Sequence, residues 1–167
     1  MKGTLRQRLL SGANKLVVPF IQRGLPMGSS RTPMALVTVR GRNSGLPRSV
    51  PLALEPIDGG WIVISVYGPS DWSKNLEAAG AATVTLRGST VLVDAERLSP
   101  TTAAPILKES MGQAPRLIRW MTSASYQTTT DSSMEQWELE AETHPVFRLT
   151  TVADSGSPGA DRHPGQG

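Results

Sequence analysis

The sequence predicts a mainly β (α+β) fold, a small antiparallel barrel of about six strands with flanking helices. Short runs of apolar and β-branched residues alternate with glycine-containing turns, as in antiparallel sheets. Helical patterns do not follow every strand, so the regular alternation of a parallel α/β sheet is absent. Six twisted strands would leave exposed edges unless the sheet closed. A chain of 167 residues is sufficient for one such domain.

The six predicted strands are separated by turns or by short helices. They begin near Met34 and then span residues 48–56, 61–66, 82–87, 90–98 and 145–152. Pro51 lies within the second strand and lacks an N–H for the ladder, so it marks a bulge, an edge strand or a wall facing a ligand. The third strand is too continuously apolar for either of its faces to meet water.

Five helices are predicted around these strands. They cover residues 4–23, 72–79, 101–111 and 115–121 and a segment ending near 141. The predicted caps are Asp71 before the second helix, Gly80 after it, Ser99 with Pro100 at the start of the third, and a Ser132–Glu135 capping box before the last. Residues 122–133 are mostly polar and predict a loop that covers another part of the molecule.

Charge is distributed unevenly along the chain. Nine of the 17 basic residues and none of the 14 acidic residues lie within residues 1–54. Residues 4–23 combine an apolar stripe with cations, which predicts a helix that packs on the barrel or lies on an anionic membrane. We divide the chain into a basic amphipathic segment with its connection (1–30), a barrel (31–152) and a disordered tail (153–167). No secretory signal is evident, so a cytoplasmic protein is expected.

The composition removes most catalytic strategies that rely on side chains alone. The chain has no cysteine and only two histidines, which excludes thiolate sites and disfavours a histidine metal cluster or a Ser-His-Asp triad. The sequence lacks a GxGxxG motif and any recognisable nucleic-acid-binding motif. An enzyme of this composition therefore requires a cofactor to supply its reactivity.

The most distinctive stretch joins the first two strands and is rich in hydrogen-bond donors. It reads Gly41-Arg42-Asn43-Ser44-Gly45-Leu46-Pro47-Arg48. The glycines permit a tight turn, while Arg42, Arg48 and the Ser44 hydroxyl present donors suited to an anion. The loop therefore predicts an anion-binding site.

This loop and the residues after it resemble the deazaflavin-dependent nitroreductase family, split β-barrel oxidoreductases of the FMN-binding type that use coenzyme F420. The resemblance also includes Ser49-Val50-Pro51-Leu52, Asp58-Gly59-Gly60-Trp61, Trp72-Ser73-Lys74-Asn75-Leu76 and the late segment Pro145-Val146-Phe147-Arg148-Leu149. It implies hydride transfer from reduced F420, rather than from FMN, to an activated alkene, a quinone or a nitro compound.

The resemblance also implies positions for the site residues. Cofactor binding falls to a set drawn from the loop, the second strand and the first short helix: Arg42, Asn43, Ser44, Arg48, Pro51, Leu52, Tyr67, Gly68, Trp72 and Asn75. The proton source is Tyr126 or Tyr67, unless water serves. Trp61 and Trp72 are expected near the ring, although packing is an alternative role for Trp72. For Tyr126 the alternative role is to anchor its loop.

Two departures from the family pattern limit what can be transferred. Asn43 stands where the family often has lysine, and Tyr67-Gly68-Pro69 replaces a Ser-Lys-Gly-Gly segment, so the substrate range does not carry over. Two other functions stay open: a non-catalytic split-barrel module that binds a flavin, haem or lipid, and a membrane-surface protein. The sequence leaves monomer and homodimer equally open.

Overall fold

The computed structural model describes residues 31–152 together with positions 19, 28 and 29. The predicted helix over residues 4–23 and the predicted disordered tail lie outside the described residues, so both stay predictions, as do the domain boundaries. Within the part that is described, no helix has the length and apolar character needed to cross a bilayer.

Residues 31–152 form seven strands, four α-helices and one short 3-10 helix. The strands are β1 (Met34–Arg40), β2 (Pro47–Ala53), β3 (Glu55–Ile57), β4 (Gly60–Ile64), β5 (Ala81–Leu86), β6 (Ser89–Arg97) and β7 (Val146–Thr151). The helices are α1 (Asp71–Ala79), α2 (Pro100–Gln113), α3 (Arg116–Thr122) and α4 (Met134–Thr143), with the 3-10 turn at Ser123–Ser125. Each predicted strand and each predicted helix after residue 30 is present.

All seven strands belong to one antiparallel sheet, in the order β2-β1-β5-β6-β7-β4-β3. The two outermost strands, β2 and β3, are the two halves of the predicted second strand, separated by Leu54 alone. The Leu54 side chain is fully buried, and its N–H donates to the Pro33 carbonyl at 3.0 Å. One bent segment therefore pairs with β1 through its first half and with β4 through its second, which curls the sheet into the expected split barrel.

Pro51 does not create a bulge. The pairing of β1 with β2 runs without interruption from Met34 opposite Ala53 to Arg40 opposite Pro47. In the described sheet β2 is an edge strand with β1 as its only neighbour. No strand on its other side therefore requires a hydrogen bond from the N–H that Pro51 lacks. Of the three readings of Pro51, the bulge is wrong and the edge strand is confirmed.

Two apolar cores lie on opposite faces of the sheet. Val37, Leu76 and Phe147 belong to the core inside the barrel, while Leu107 and Trp137 belong to a core between the sheet and the helices. The neighbours Val63 and Ile62 on β4 contribute to different cores, because successive side chains of a strand point to opposite faces. The prediction that this strand is buried on both sides is confirmed.

Two of the predicted helix caps are displaced by one residue. The N-cap of α1 is Ser70, which forms a capping box with Ser73, so the prediction of Asp71 is wrong. The capping box of α4 pairs Ser133 with Gln136 rather than Ser132 with Glu135. In both places neighbouring polar residues carry equally good capping groups, and the backbone geometry selects between them. The caps at Ser99–Pro100 and at Gly80 are confirmed.

Candidate active site

A single cavity of about 2020 Å³ runs along β2 and β3 and beneath the helical side of the molecule. Its lining includes every residue that the sequence predicted for the site: Arg42, Asn43, Ser44, Arg48, Pro51, Leu52, Tyr67, Gly68, Trp72, Asn75 and Tyr126. Residues spread over 85 positions of the chain are thus brought to one cavity, although their individual roles in binding or catalysis stay predictions.

The loop between β1 and β2 is held compact by its own backbone. The Gly41 N–H donates to the Leu46 carbonyl at 2.9 Å, and the Gly45 N–H donates to the Gly41 carbonyl at 2.8 Å. Gly45 has a φ of +66°, a conformation that favours glycine. The Ser44 hydroxyl stays at the exposed surface of the loop, where it accepts from the Leu46 N–H at 3.4 Å.

Arg42 fastens this loop to α1. Its Nη2 lies 3.0 Å from Oδ1 of Asp71, and its Nη1 donates to Oδ1 of Asn75 at 2.8 Å. The same Asn75 oxygen accepts the Arg42 backbone N–H at 3.2 Å. Asn75 is buried, and its side-chain oxygen accepts both of these Arg42 donors. The geometry gives Arg42 a positioning role, because most of its donors already have partners within the protein.

Arg48 is the arginine of the loop that remains available to an external anion. It stands at the start of β2, opposite Val39, and is exposed at the cavity. Among residues 31–152 its guanidinium contacts no carboxylate. A guanidinium binds phosphate or carboxylate through two parallel N–H donors.

The start of α1 is poorly suited to bind an anion. The Ser70 side chain takes up the Ser73 N–H, and Asp71 places a carboxylate in the first turn. A negative side chain at this position already interacts favourably with the positive end of the helix dipole. The negative charge of Asp71 would repel an additional anion at this helix end.

The turn before α1 fixes Tyr67 at the edge of the cavity. Gly68 has a φ of +78°, and its N–H donates to the Ser65 carbonyl at 2.9 Å. The Ser65 hydroxyl donates back to the Gly68 carbonyl at 2.6 Å, closing the turn on both sides. The Tyr67 side chain is 48% exposed and therefore stands at the mouth rather than in the interior.

Tyr126 is held over the opposite side of the cavity by aromatic contacts. Its ring stacks on His144 with a centroid separation of 4.2 Å and an interplanar angle of 12°. It also lies 6.3 Å from the Trp137 ring. Burial, and then the charges of Glu140 and Glu55, raise the pKa of the Tyr126 hydroxyl above its usual value. Tyr126 both anchors its loop and faces the cavity.

The buried side chain of Glu140, which the sequence analysis did not single out, holds the segment that follows Tyr126. Oε2 of Glu140 accepts the backbone N–H groups of Gln127 and Thr128 at 2.9 and 3.1 Å and the Thr128 hydroxyl at 3.1 Å. Its Oε1 lies 3.1 Å from Nδ1 of His144. The one signal in the sequence is the Glu140–His144 spacing of four residues on a helix, which brings two polar side chains to one face.

The far end of the cavity carries two further acidic residues that the sequence did not single out, Glu55 on β3 and Glu109 on α2. Glu55 accepts a hydrogen bond from the Ser110 hydroxyl. Burial raises the pKa of Glu55, the Ser110 hydrogen bond opposes this shift, and the charge of Glu109 adds to it.

Of the two tryptophans expected near a bound ring, only Trp72 lines the cavity. It also packs against the inner core, with its ring 6.1 Å from that of Phe147, so packing and lining coincide. Trp61 is half-buried against the inner core and does not line the cavity. Its expected position near the ring stays a prediction, which the lining of this cavity does not support.

The two ends of the cavity carry opposite charges, with an apolar stretch between them. Arg48 is the second residue of β2, Glu55 is the first residue of β3, and Val50, Pro51 and Leu52 lie between them as an apolar wall. Seven residues of extended chain separate the two charges by roughly 23 Å at most. An elongated ligand with an anionic end and a flat apolar body fits this order of residues.

Comparisons with known proteins agree with this geometry. The sequence profile described as F420H(2)-dependent quinone reductase matches residues 22–135. The chain belongs to this family. The match confirms the resemblance seen in the sequence, and with it coenzyme F420 as the cofactor and an oxidoreductase as the class of enzyme. No curated protein matches the chain significantly.

Solved structures support the fold. An F420-H2 dependent reductase (FDR-A) is 18% identical with a TM-score of 0.50, covering 70% of this chain and 92% of its own. A protein described as a domain-swapped dimer is 14% identical with a TM-score of 0.51, covering 86% and 98%. A pyridoxamine 5′-phosphate oxidase-related, FMN-binding protein from Nostoc punctiforme is 11% identical with a TM-score of 0.50, covering 91% and 84%. These likenesses show the split-barrel fold.

The residues of the cavity fit coenzyme F420. A phosphate or carboxylate of the coenzyme would need a cation such as Arg48, which has no carboxylate partner among residues 31–152, and a flat ring would need an apolar wall such as that of β2. When bound, the coenzyme supplies hydride, a chemistry that no side chain of this protein provides.

Proposed function

We propose that this protein uses reduced F420 to reduce a small quinone, activated alkene or nitro compound in the cavity along β2 and β3. The observation that carries the proposal is the order of residues in this cavity, from the basic loop through an apolar wall to an end with Tyr126 and two acidic residues. This order separates the part that binds an anion from the part where proton transfer is possible.

The protein's own residues would orient the two reactants and exclude water. Arg48 and Ser44 would bind the anionic part of the coenzyme, and the backbone at Pro51 and Leu52 would lie against its ring. Tyr126 is rigidly stacked and would place its hydroxyl toward the oxygen of the acceptor. Positioning of this kind accounts for a large share of the rate when two bound molecules react.

The experiment is a steady-state assay of F420 oxidation. Reduced F420 is mixed with the protein and one acceptor from each class, a naphthoquinone, a cyclic enone and a nitroaromatic compound, with reduced FMN and NADH as donor controls. We expect turnover with reduced F420 and at least one acceptor. Tight binding of F420 without turnover on any acceptor would contradict the proposal and favour a non-catalytic binding module.

We also propose that the protein is cytoplasmic and contacts the inner face of the membrane through residues 4–23. The support is the sequence alone, in which an apolar stripe and cations occupy the same segment. Deletion of residues 1–23 is expected to reduce co-sedimentation with vesicles that contain phosphatidylglycerol, but not with neutral vesicles. Equal co-sedimentation before and after deletion would contradict the proposal.

A further inference from the structure

Glu55 is a titratable group at the acidic end of the cavity, and the proposed function assigns it no individual role. It is the first residue of β3, directly after the bend at Leu54, and its partner across the β3–β4 pair is Ile62. Ile62 is in turn opposite Arg148 on β7. Residues that are directly opposed on neighbouring strands share a face, so Glu55 lies on the same face as Ile62, the face covered by the helices.

The surroundings of Glu55 favour its neutral form. Burial has the largest effect, and the negative charge of Glu109 on α2 adds to it, while the hydrogen bond that Ser110 of the same helix donates to the carboxylate opposes both. Tyr126 is close enough for its pKa to respond to the charge of Glu55. Arg148 also lines the cavity, but its guanidinium pairs with Glu96 at 3.8 Å. In the described part of the chain no cation forms an ion pair with Glu55.

The two candidate acids in this cavity differ in how readily they release a proton. The pKa of Tyr126 is raised, so its hydroxyl holds its proton more tightly than an ordinary tyrosine does at neutral pH. The pKa of Glu55 is also raised, but from the much lower value usual for a carboxyl group. General-acid catalysis is most efficient when the pKa of the acid lies near the working pH. A raised carboxyl therefore suits this role better than a raised phenol.

We propose that Glu55, rather than Tyr126 or Tyr67, is the general acid that protonates the acceptor. This inference rests on the proposed function. When bound, reduced F420 would supply a hydride, and the two electrons of that hydride would reduce the acceptor and leave it anionic. The O–H bond of Glu55 breaks as the new bond to hydrogen forms on the anionic acceptor. The resulting carboxylate takes a proton from solvent before the next turnover.

The test uses four variants and the pH dependence of kcat. Because the acid must be protonated, wild-type kcat should fall as the pH rises through the pKa of Glu55 in the complex. This fall is the alkaline limb of the pH profile. Glu55→Gln should lower kcat about ten- to a hundredfold and abolish the limb. Glu109→Gln removes a charge that raises this pKa, so the limb should move to lower pH. Ser110→Ala removes a hydrogen bond that lowers it, so the limb should move to higher pH.

The matched control is Glu142→Gln. Glu142 is an exposed acidic residue on α4 that does not line the cavity and forms no ion pair within residues 31–152. We expect its kcat and its limb to match those of the wild type. If Glu55 only joins β3 to α2, the Glu109→Gln and Ser110→Ala variants are not expected to move the limb in opposite directions.

A second measurement needs no coenzyme. The unfolding of the coenzyme-free protein is followed from pH 4 to pH 8 for the wild type and Glu55→Gln. Since burial raises the folded-state pKa, the contribution of Glu55 to stability is complete at pH values below the unfolded pKa and is lost as the pH rises through the folded pKa. Relative to the wild type, Glu55→Gln should therefore gain in Tm toward neutral pH. A parallel Tm profile would overturn the environment that we assign to Glu55.

The outcomes separate this inference from the proposed function. If the wild type turns over F420 and Glu55→Gln keeps both its kcat and its limb, the inference is overturned and the proposed function stands. If the wild type binds no F420 and reduces no acceptor, both are overturned. Coenzyme affinity of Glu55→Gln, measured by quenching of Trp72 fluorescence, should stay within about twofold of the wild type, roughly 0.4 kcal/mol.

Discussion

Replacing Glu140 by glutamine tests how the loop over the cavity is held. The Glu140 side chain is 4% exposed; its Oε2 accepts from Gln127 and Thr128, and its Oε1 lies 3.1 Å from Nδ1 of His144. Glutamine offers one acceptor and one donor where the structure uses two acceptors. Whichever way the amide is turned, its NH₂ group faces the Gln127 and Thr128 amides or the His144 ring.

The magnitude follows from the number of hydrogen bonds. A hydrogen bond to a charged group contributes about 1.5–3 kcal/mol and a neutral one about 0.5–1.5 kcal/mol, so each of the donors to Oε2 loses about 1 kcal/mol. With three such donors, we expect Glu140→Gln to lower the free energy of unfolding by about 2–4 kcal/mol, or Tm by roughly 6–15 °C. Because Tyr126 stacks on His144, kcat should also fall while F420 affinity is retained.

The assay is urea unfolding followed by circular dichroism, combined with steady-state kinetics. Glu142→Gln is the matched control, because Glu142 is on the same helix and exposed, and its free energy of unfolding should stay within about 0.5 kcal/mol of the wild type. If Glu140→Gln is as stable as Glu142→Gln, the Glu140 network does not hold this loop, and the reasoning is refuted.

Three further substitutions test individual residues of the cavity. Arg48→Ala should weaken F420 binding by about 1.5–3 kcal/mol in calorimetric titration, whereas Arg40→Ala, outside the cavity, should not; equal affinities would remove Arg48 from the site. Tyr126→Phe should lower kcat only about two- to tenfold, as expected for one neutral hydrogen bond, and a loss beyond a hundredfold would instead make Tyr126 the acid. Asn75→Ala removes the acceptor for two Arg42 donors and should lower the free energy of unfolding by about 1–3 kcal/mol, with an unchanged urea midpoint arguing against the link between the loop and α1.

The fold was largely predictable because its signals are local. Strands such as β1, β4 and β5 are short runs of apolar and β-branched residues, and Gly80 and the Ser99–Pro100 pair fix helix ends through their own backbone preferences. The division of the second strand at Leu54 was missed because it depends on a distant partner, the Pro33 carbonyl, and on burial of the Leu54 side chain. The two displaced caps reflect neighbouring serine and acidic residues with similar capping ability.

The sequence predicted which residues line the cavity better than it predicted the chemical role of each one. The family resemblance selected residues that share one cavity, but it could not show that Arg42 is engaged by Asp71 and Asn75 while Arg48 is not. Glu55 and Glu140 are ordinary acidic residues in the sequence. Their character comes from burial and from partners such as Ser110 and His144, which only the tertiary structure brings to them.

The most direct test of the central claim is a calorimetric titration of F420 into the wild-type protein, with Trp72 fluorescence recorded in parallel. Trp72 is the one tryptophan among the four, all within the described residues, that lines the cavity. We predict saturable binding at one site per chain, with quenching that Trp72→Phe largely removes and an affinity that falls as salt screens the charge of Arg48. Absence of heat and of quenching at low salt would contradict the assignment of this cavity to the coenzyme.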